Sequence, residues 1–539
     1  MRSWNVASKV HVSFKLRIAH HNARGNIPGC LYMPHPPCVH YGRVTLKLPT
    51  RVSMLLVVPF AMAMFVAMSL EGVHIIFSIL FTVHVMLSAL AFNAAGGFSR
   101  IIGAYVCFFS LFTFIFGVFW KTLIGKAADT NLQSPVLDAT LYVVSVGMLL
   151  ITVYIMKNLD YRRFSLANKL HANDVDYTKI GLGCLILAFT IQFLDIALGA
   201  IPGGILSIIN QLNIFLPLGV LMSTIGAIKN SNGRRSIDFI AGTSIVLNLI
   251  LGTLAFSKQG MLEPIVCWAI GAAYMRFRLT TLNYIALIPT LYFALFMAAP
   301  LSGLRTDVTT GDYSQRVAIL TNGLTHWDAL KQRQAESEQF SIDHSEGSTY
   351  FGTSQGGIVE RLTMIPIDDT LFTFTYNGNE DGYETVLWDF ENWIPHFILP
   401  SKHTGYTGNH YVHEMGGGLS EEDDTTGISF SPVAEAYHIG GWPGVILLMP
   451  AIWIFFFIVT DLTLGDLNES PWGVLAVILL IHSAPESLLS GLIQGIAYGN
   501  LAFAFTMFFS IKLAPVLGSL FSSTPAPPPP RFIARPRSA

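Results

Sequence analysis

The spacing of apolar runs constrains this chain more than any other feature. They fall at about 53–70, 73–93, 101–120, 136–156, 180–200, 204–228, 237–256, 260–276 and 281–299, then at about 439–460, 472–488 and 494–512. Each is about as long as a helix needs to cross a bilayer. Unpaired backbone polar groups cannot face hydrocarbon, so runs of this length are read as helices. Only 12% of residues are charged, where a soluble domain carries about 25%. The expected fold is therefore all-α: a polytopic integral membrane protein of about twelve transmembrane helices. One large extracytoplasmic loop lies between the ninth and tenth. Pro485 and Glu486 interrupt the helical pattern near the end.

The predicted domains follow from these runs. Residues 1–52 are basic and rich in Pro and His, and read as a cytoplasmic tail or as sequence upstream of a start at Met54. Residues 53–299 hold helices one to nine, 300–437 the polar loop, 438–515 helices ten to twelve, and 516–539 a Pro-rich disordered cytoplasmic tail. Arg100, then Lys157, Arg162, Arg163, Lys169 and Lys179, then Lys229, Arg234 and Arg235, then Arg276 and Arg278 occupy alternate loops on the side of the basic N-terminus. The positive-inside rule makes that side, and both termini, cytoplasmic; Lys121, Lys126 and Lys258 dissent. The loop at 300–437 then faces outward, and its six Lys or Arg against about twenty Asp or Glu suit a translocated segment. A net charge of -2 gives no reason to expect nucleic acid. The five cysteines suggest neither a disulfide framework nor a thiolate metal site.

Within the loop, Tyr313–Glu338 has few breakers, with Leu320, Leu324, Trp327 and Leu330 on one helical face. A second helix is expected over G-G-I-V-E-R-L-T-M-I, ending at Ile365, and a third, aromatic one over 387–399, where Trp rings suit the membrane interface. Inside the membrane His84, Gln192, Asp195 and Glu486 stand out as costly polar groups. H-Y-V-H-E at 410–414 follows neither H-E-x-x-H nor H-x-x-E-H order, so no metal site is expected there. E-E-D-D at 421–424 reads as a hydrated charge run.

Three features occur in order: Arg361 at the head of a short amphipathic helix, an Ile394-Pro395 turn running to Pro400 and Lys402, and an extended G-I-S-F-S-P-V-A-E-A-Y-H-I-G-G-W-P-G from Gly427 to Gly444. This series resembles the O-antigen and exopolysaccharide repeat-unit polymerases of the Wzy type. The likeness covers about a hundred residues and the layout of many spans with one late loop; the family's basic residue after the Ile-Pro pair is here His396. The resemblance implies a glycosyltransferase of the bacterial inner membrane. Its substrate is an oligosaccharide on a polyprenyl diphosphate, its surroundings are membrane lipid, and its partners include chain-length regulator and export proteins. The chemistry implied needs no metal or other cofactor.

Such a reaction needs cations for the leaving diphosphate and a base for the acceptor hydroxyl. Arg361 is the first candidate for the diphosphate, because its planar fork holds two oxygens; Arg305, Arg316 and Lys402 follow, with ordinary surface charge as the plain alternative. Seven of the sixteen histidines lie between 326 and 438. Base candidates are His403, His410, His413, Glu435 and His438, with Tyr437 as a binding residue beside them. For Glu435 the plain alternative is a helix N-cap. Two other readings stay open: an O-antigen ligase that hands glycan to an acceptor, and a polysaccharide or lipid transporter.

Overall fold

A computed structural model describes residues 46–159, 161–170, 175–198, 213–308, 313–333, 336, 350–351, 362–394, 398–399, 401–402, 406–416, 428–467 and 470–521. Arg361, His396, His403, the acidic run at 421–424, the Gly-rich turn at 199–204 and the end of the Pro-rich tail lie outside these residues, as does most of the N-terminal segment. Among the described residues the fold is all-helical, without a strand.

The predicted apolar runs are helical over most of their described residues. Among the described residues, six helices are long and apolar enough to cross a membrane: Ile75–Ala95, Ile101–Leu123, Pro135–Asn158, Tyr177–Leu194, Pro432–Leu464 and Leu488–Lys512. Met54–Leu70, Phe215–Asn230, Phe239–Leu254 and Pro471–Glu486 are apolar but shorter. The expected interruption is present: one helix stops at Glu486, Leu488 takes φ 56°, and a new helix starts there.

Aromatic packing ties early helices to late ones. Trp453 of Pro432–Leu464 donates its indole N–H to the Tyr105 hydroxyl at 2.9 Å, and Phe109 and Phe457 close edge-on around that pair. A buried aromatic anchored by its polar atom fixes helix rotation as well as burying area.

The two ends of the bundle carry opposite chemistry. At one, Arg100 donates to the Met156 carbonyl at 3.3 Å and to Asp461 at 2.6 Å, while Arg162 reaches Asp466 at 3.3 Å. At the other, acidic side chains cap helix starts. Asp369 accepts from the N–H groups of Gln133 and Ser134 at 2.8 and 2.9 Å, just ahead of Pro135–Asn158. Asp368 accepts from the Ser431 N–H at 2.9 Å and the Tyr142 hydroxyl at 2.6 Å. Each carboxylate meets orphan donors at the positive end of a helix dipole.

Two of the three lysines that broke the charge rule, Lys121 and Lys126, sit at this acidic end and are engaged there. Lys121 donates to the Thr130 carbonyl under the Tyr350 ring, 3.9 Å from its centroid, and Lys126 donates to the Phe351 carbonyl at 2.9 Å. They hold a piece of the polar loop.

The loop differs from its predicted helices in three places. Ile365, expected to end a helix, begins one, Ile365–Tyr376, because Pro366 is tolerated only in a first turn. The π turn Leu111–Ile115 explains how this segment docks: the Phe116 N–H bonds Leu111, which frees the Phe112 carbonyl to accept from Met364 at 3.1 Å. The aromatic helix is shorter than expected, Glu384–Glu391. Tyr313–Thr325 ends at a turn before Trp327, so Leu320, Trp327 and Leu330 share a core while Leu324 turns outward.

Candidate functional site

The last part of the Gly427–Gly444 stretch is helix where extended chain was expected. Ser431 supplies the reason: its side chain accepts from the Ala434 N–H at 3.2 Å, and Pro432 fills the first helical position. The helix then bends at Gly440 and Gly441. Gly441 has φ 55° and ψ -141°, which a side chain would forbid, and the chain resumes through the π turn Gly444–Leu448. The first two turns, carrying Glu435, Tyr437 and His438, are thereby set off from the membrane-crossing remainder.

Glu435 is fully buried. One oxygen accepts from the Tyr411 hydroxyl at 3.1 Å; the other accepts from the N–H groups of Leu489 and, at 3.2 Å, Ser490. Those N–H groups open the Leu488–Lys512 helix, so Glu435 does cap a helix, but a different helix from its own. Asp389 is buried beside it, and its carboxyl is pushed well above the usual range by that burial and by the Glu435 charge.

One turn on, His438 is buried with both ring nitrogens engaged. Nδ1 lies 2.9 Å from the Thr375 hydroxyl and Nε2 lies 3.0 Å from Glu414 Oε2, with the Tyr411 ring edge-on at 4.8 Å. Thr375 comes from Ile365–Tyr376, and Glu414 ends the helix Thr407–Glu414.

Four residues before Glu414 on that helix is His410, on the same face. Its Nε2 lies 3.3 Å from Asp381 Oδ1 and 3.7 Å from Glu414 Oε1, and Trp388 packs edge-on against the ring. Asp381 is anchored twice: the Thr385 hydroxyl donates to its Oδ2 at 2.9 Å, and its own N–H donates to the His438 carbonyl at 3.0 Å. The Asp381 contact, against some loss of solvent, raises the imidazole pKa of His410. Burial would raise the Asp381 carboxyl, but hydrogen bonds from His410 and Thr385 outweigh it and hold the carboxyl below its usual value. The ligand-type atoms of Asp381, His410 and Glu414 all lie within 4.8 Å of one another, so these three can hold a cation. His410 and Glu414 are 29% and 33% exposed, so the cluster opens to solvent on one side.

The remaining predicted residues lie elsewhere in the fold or serve it. Tyr437 is buried with its ring against Phe372 and Trp442. Lys402 donates to the carbonyls of Asn392 and Ile394 at 3.3 and 2.8 Å, closing the end of Glu384–Glu391. Arg305 is exposed on the turn Leu304–Asp307. Arg316, beside the Tyr313 ring, lines a cavity of 290 Å³ with Gln192, Asn248 and Glu263. His84 is a core residue whose Nδ1 bonds the Tyr142 carbonyl at 3.2 Å. Asp381, Thr375 and Tyr411 escaped the sequence reading, and Glu414 entered it only as the end of the H-Y-V-H-E run that was set aside; the local signal was the four-residue spacing of His410 and Glu414. No family model, curated protein or solved structure matches the chain.

Proposed function

We propose that this chain is a membrane glycosyltransferase that joins oligosaccharide units carried on a polyprenyl diphosphate, at the outer face of a bacterial inner membrane. In this reading about twelve helices cross the bilayer and both termini are cytoplasmic. Chain-length regulator and export proteins act beside it. The observation that carries the proposal is the cluster of two imidazoles and two carboxylates beside the start of the Pro432–Leu464 helix, open to solvent at His410 and Glu414.

The chemistry asks for a base near neutral pH that sits where lipid-linked sugar can reach it. The acceptor hydroxyl oxygen forms a bond to the donor anomeric carbon as the bond from that carbon to the diphosphate oxygen breaks. The electron pair leaves with the diphosphate, and the hydroxyl proton passes to the His410 and Glu414 side of the cluster. His438 orients Glu414 from behind. Glu435 is too buried to meet substrate, so it is a positioning residue that fixes Tyr411 and the Leu488–Lys512 helix under the cluster. Diphosphate contact falls to Arg361, with Arg305 as a further candidate, and His403 stays a candidate base.

The test is deletion of the gene in its host followed by analysis of lipid-linked glycans. Single repeat units accumulating on the outer face are expected, and an unchanged chain-length distribution overturns the reading. A ligase mutant instead retains finished polymer on its lipid carrier. The polar cavity lined by Gln192, Asn248, Glu263, Tyr313 and Arg316 favours a transporter as the second reading. That reading predicts single units trapped on the cytoplasmic face.

A further inference from the structure

We propose that Asp381, His410 and Glu414 form a binding site for a first-row divalent cation, with zinc the preferred ion and one side of the ion open to solvent. This inference does not rest on the glycosyltransferase reading and competes with the proton-accepting role given there to His410 and Glu414, because an atom that ligates the ion cannot also take the hydroxyl proton. It also departs from the metal-free chemistry that the sequence resemblance implied.

Distance is the first argument. A charge-assisted hydrogen bond between imidazolium and carboxylate closes to about 2.7–2.9 Å. Here His410 Nε2 stands off Asp381 Oδ1 by 3.3 Å and Glu414 Oε1 by 3.7 Å. Those separations are long for hydrogen bonds and lie at and just above the edge of a coordination polyhedron, since ligands about 2.0–2.2 Å from a tetrahedral ion stand roughly 3.3–3.6 Å apart. All three ligand atoms lie within 4.8 Å of one another.

The second argument is what holds the ligands. Each carboxylate has its far oxygen tied back: Asp381 Oδ2 accepts from Thr385, and Glu414 Oε2 faces His438 Nε2. The near oxygens, Oδ1 and Oε1, are thus presented together toward His410 Nε2. His438 is itself fixed through Nδ1 by Thr375, and the Asp381 backbone is fixed on the His438 carbonyl. Outer partners that orient first ligands in this way are characteristic of metal sites. Glu414 and His410 share a helix face at the i, i+4 spacing, and Asp381 arrives from 29 residues upstream, so motif order within 410–414 alone could not reveal the set.

The donor set selects the ion. One imidazole nitrogen with two carboxylates suits zinc or manganese, whereas calcium and magnesium prefer oxygen ligands throughout. Three protein ligands leave room for a further ligand on the exposed side.

The experiment uses the full chain purified in detergent, treated with EDTA, desalted and then exposed to zinc chloride. About one zinc per chain is expected to survive a second desalting. Equimolar magnesium or calcium should leave that value unchanged. His410→Ala and Glu414→Gln should each lower retained zinc at least tenfold, whereas His326→Ala, at an exposed histidine outside the cluster, should not. Cobalt bound to the wild-type chain should give a tetrahedral visible spectrum without a thiolate charge-transfer band, a readout that needs no variant to fold. The proposal is overturned if the wild-type chain retains less than a tenth of an equivalent of zinc, if His410→Ala binds as wild type, if calcium displaces zinc, or if cobalt shows thiolate ligation.

Discussion

Glu435 separates a positioning role from a proton-transfer role, and truncating it to Ala and to Gln tests the difference. Alanine removes the acceptor from three donors at once: the Tyr411 hydroxyl and the N–H groups of Leu489 and Ser490. A buried donor left unpaired costs about 1–3 kcal/mol. With partial rescue by a water in the vacated space, the loss should come to ~3 kcal/mol or more. Glutamine keeps one acceptor oxygen and can turn its amide N–H toward the Tyr411 oxygen, so its cost should be ~1 kcal/mol. Thermal unfolding of the purified variants in detergent, followed by intrinsic tryptophan fluorescence, should rank wild type above Gln and Gln above Ala. Glycan chain length in cells carrying each variant should fall in the same order, with the Gln variant retaining most of the wild-type distribution. A Gln variant as stable as wild type but unable to polymerise would refute the positioning role, because only a proton-transfer group fails in that way. An Ala variant with a wild-type unfolding midpoint would refute the capping geometry itself.

Two further outcomes follow from groups that the fold buries. Burial pushes the Asp368 carboxyl up to about 7, so between about pH 4 and 7 the folded chain keeps a proton that the unfolded chain has released. Its contribution to stability is therefore greatest at acid pH and declines as pH rises through that window, by at most ~4 kcal/mol for a shift of about three units. Asp368→Asn should flatten the slope of unfolding midpoint against pH; an unchanged slope would assign it to other groups. At the opposite end of the bundle, removing one member of the buried Arg100 and Asp461 pair strands the other, at ~3–5 kcal/mol. Arg100→Met combined with Asp461→Leu should therefore be more stable than either Arg100→Ala or Asp461→Ala, judged by the same unfolding assay.

The parts of this fold that were legible in the sequence rest on local rules. Apolar length placed the bundle helices, Pro485 marked a real break, and the concentration of histidines pointed to the segment where His410 and His438 meet. Ser431 and Pro432 also spelled a helix start in local terms, yet the family-like pattern reads the stretch as extended chain. The illegible parts depend on groups distant in sequence. Asp368 and Asp369 drew no reading from the sequence, because nothing near them needs an acid. Their purpose appears only when the N–H groups of Gln133, Ser134 and Ser431 are brought beside them, the first two from about 235 residues away. Lys121 and Lys126 counted against the topology for the same reason: a charge rule weighs loops, whereas these side chains hold Tyr350 and Phe351. Glu435 was singled out as a chemical group, and the structure buries it on the start of another helix, where its carboxylate accepts from Leu489 and Ser490. In a chain with so few charges, a carboxylate at the mouth of the bundle is first a cap for helix ends that water does not reach. In the proposed reading, chemistry is then left to Glu414 and His410, which reach solvent, with Asp381 held against His410.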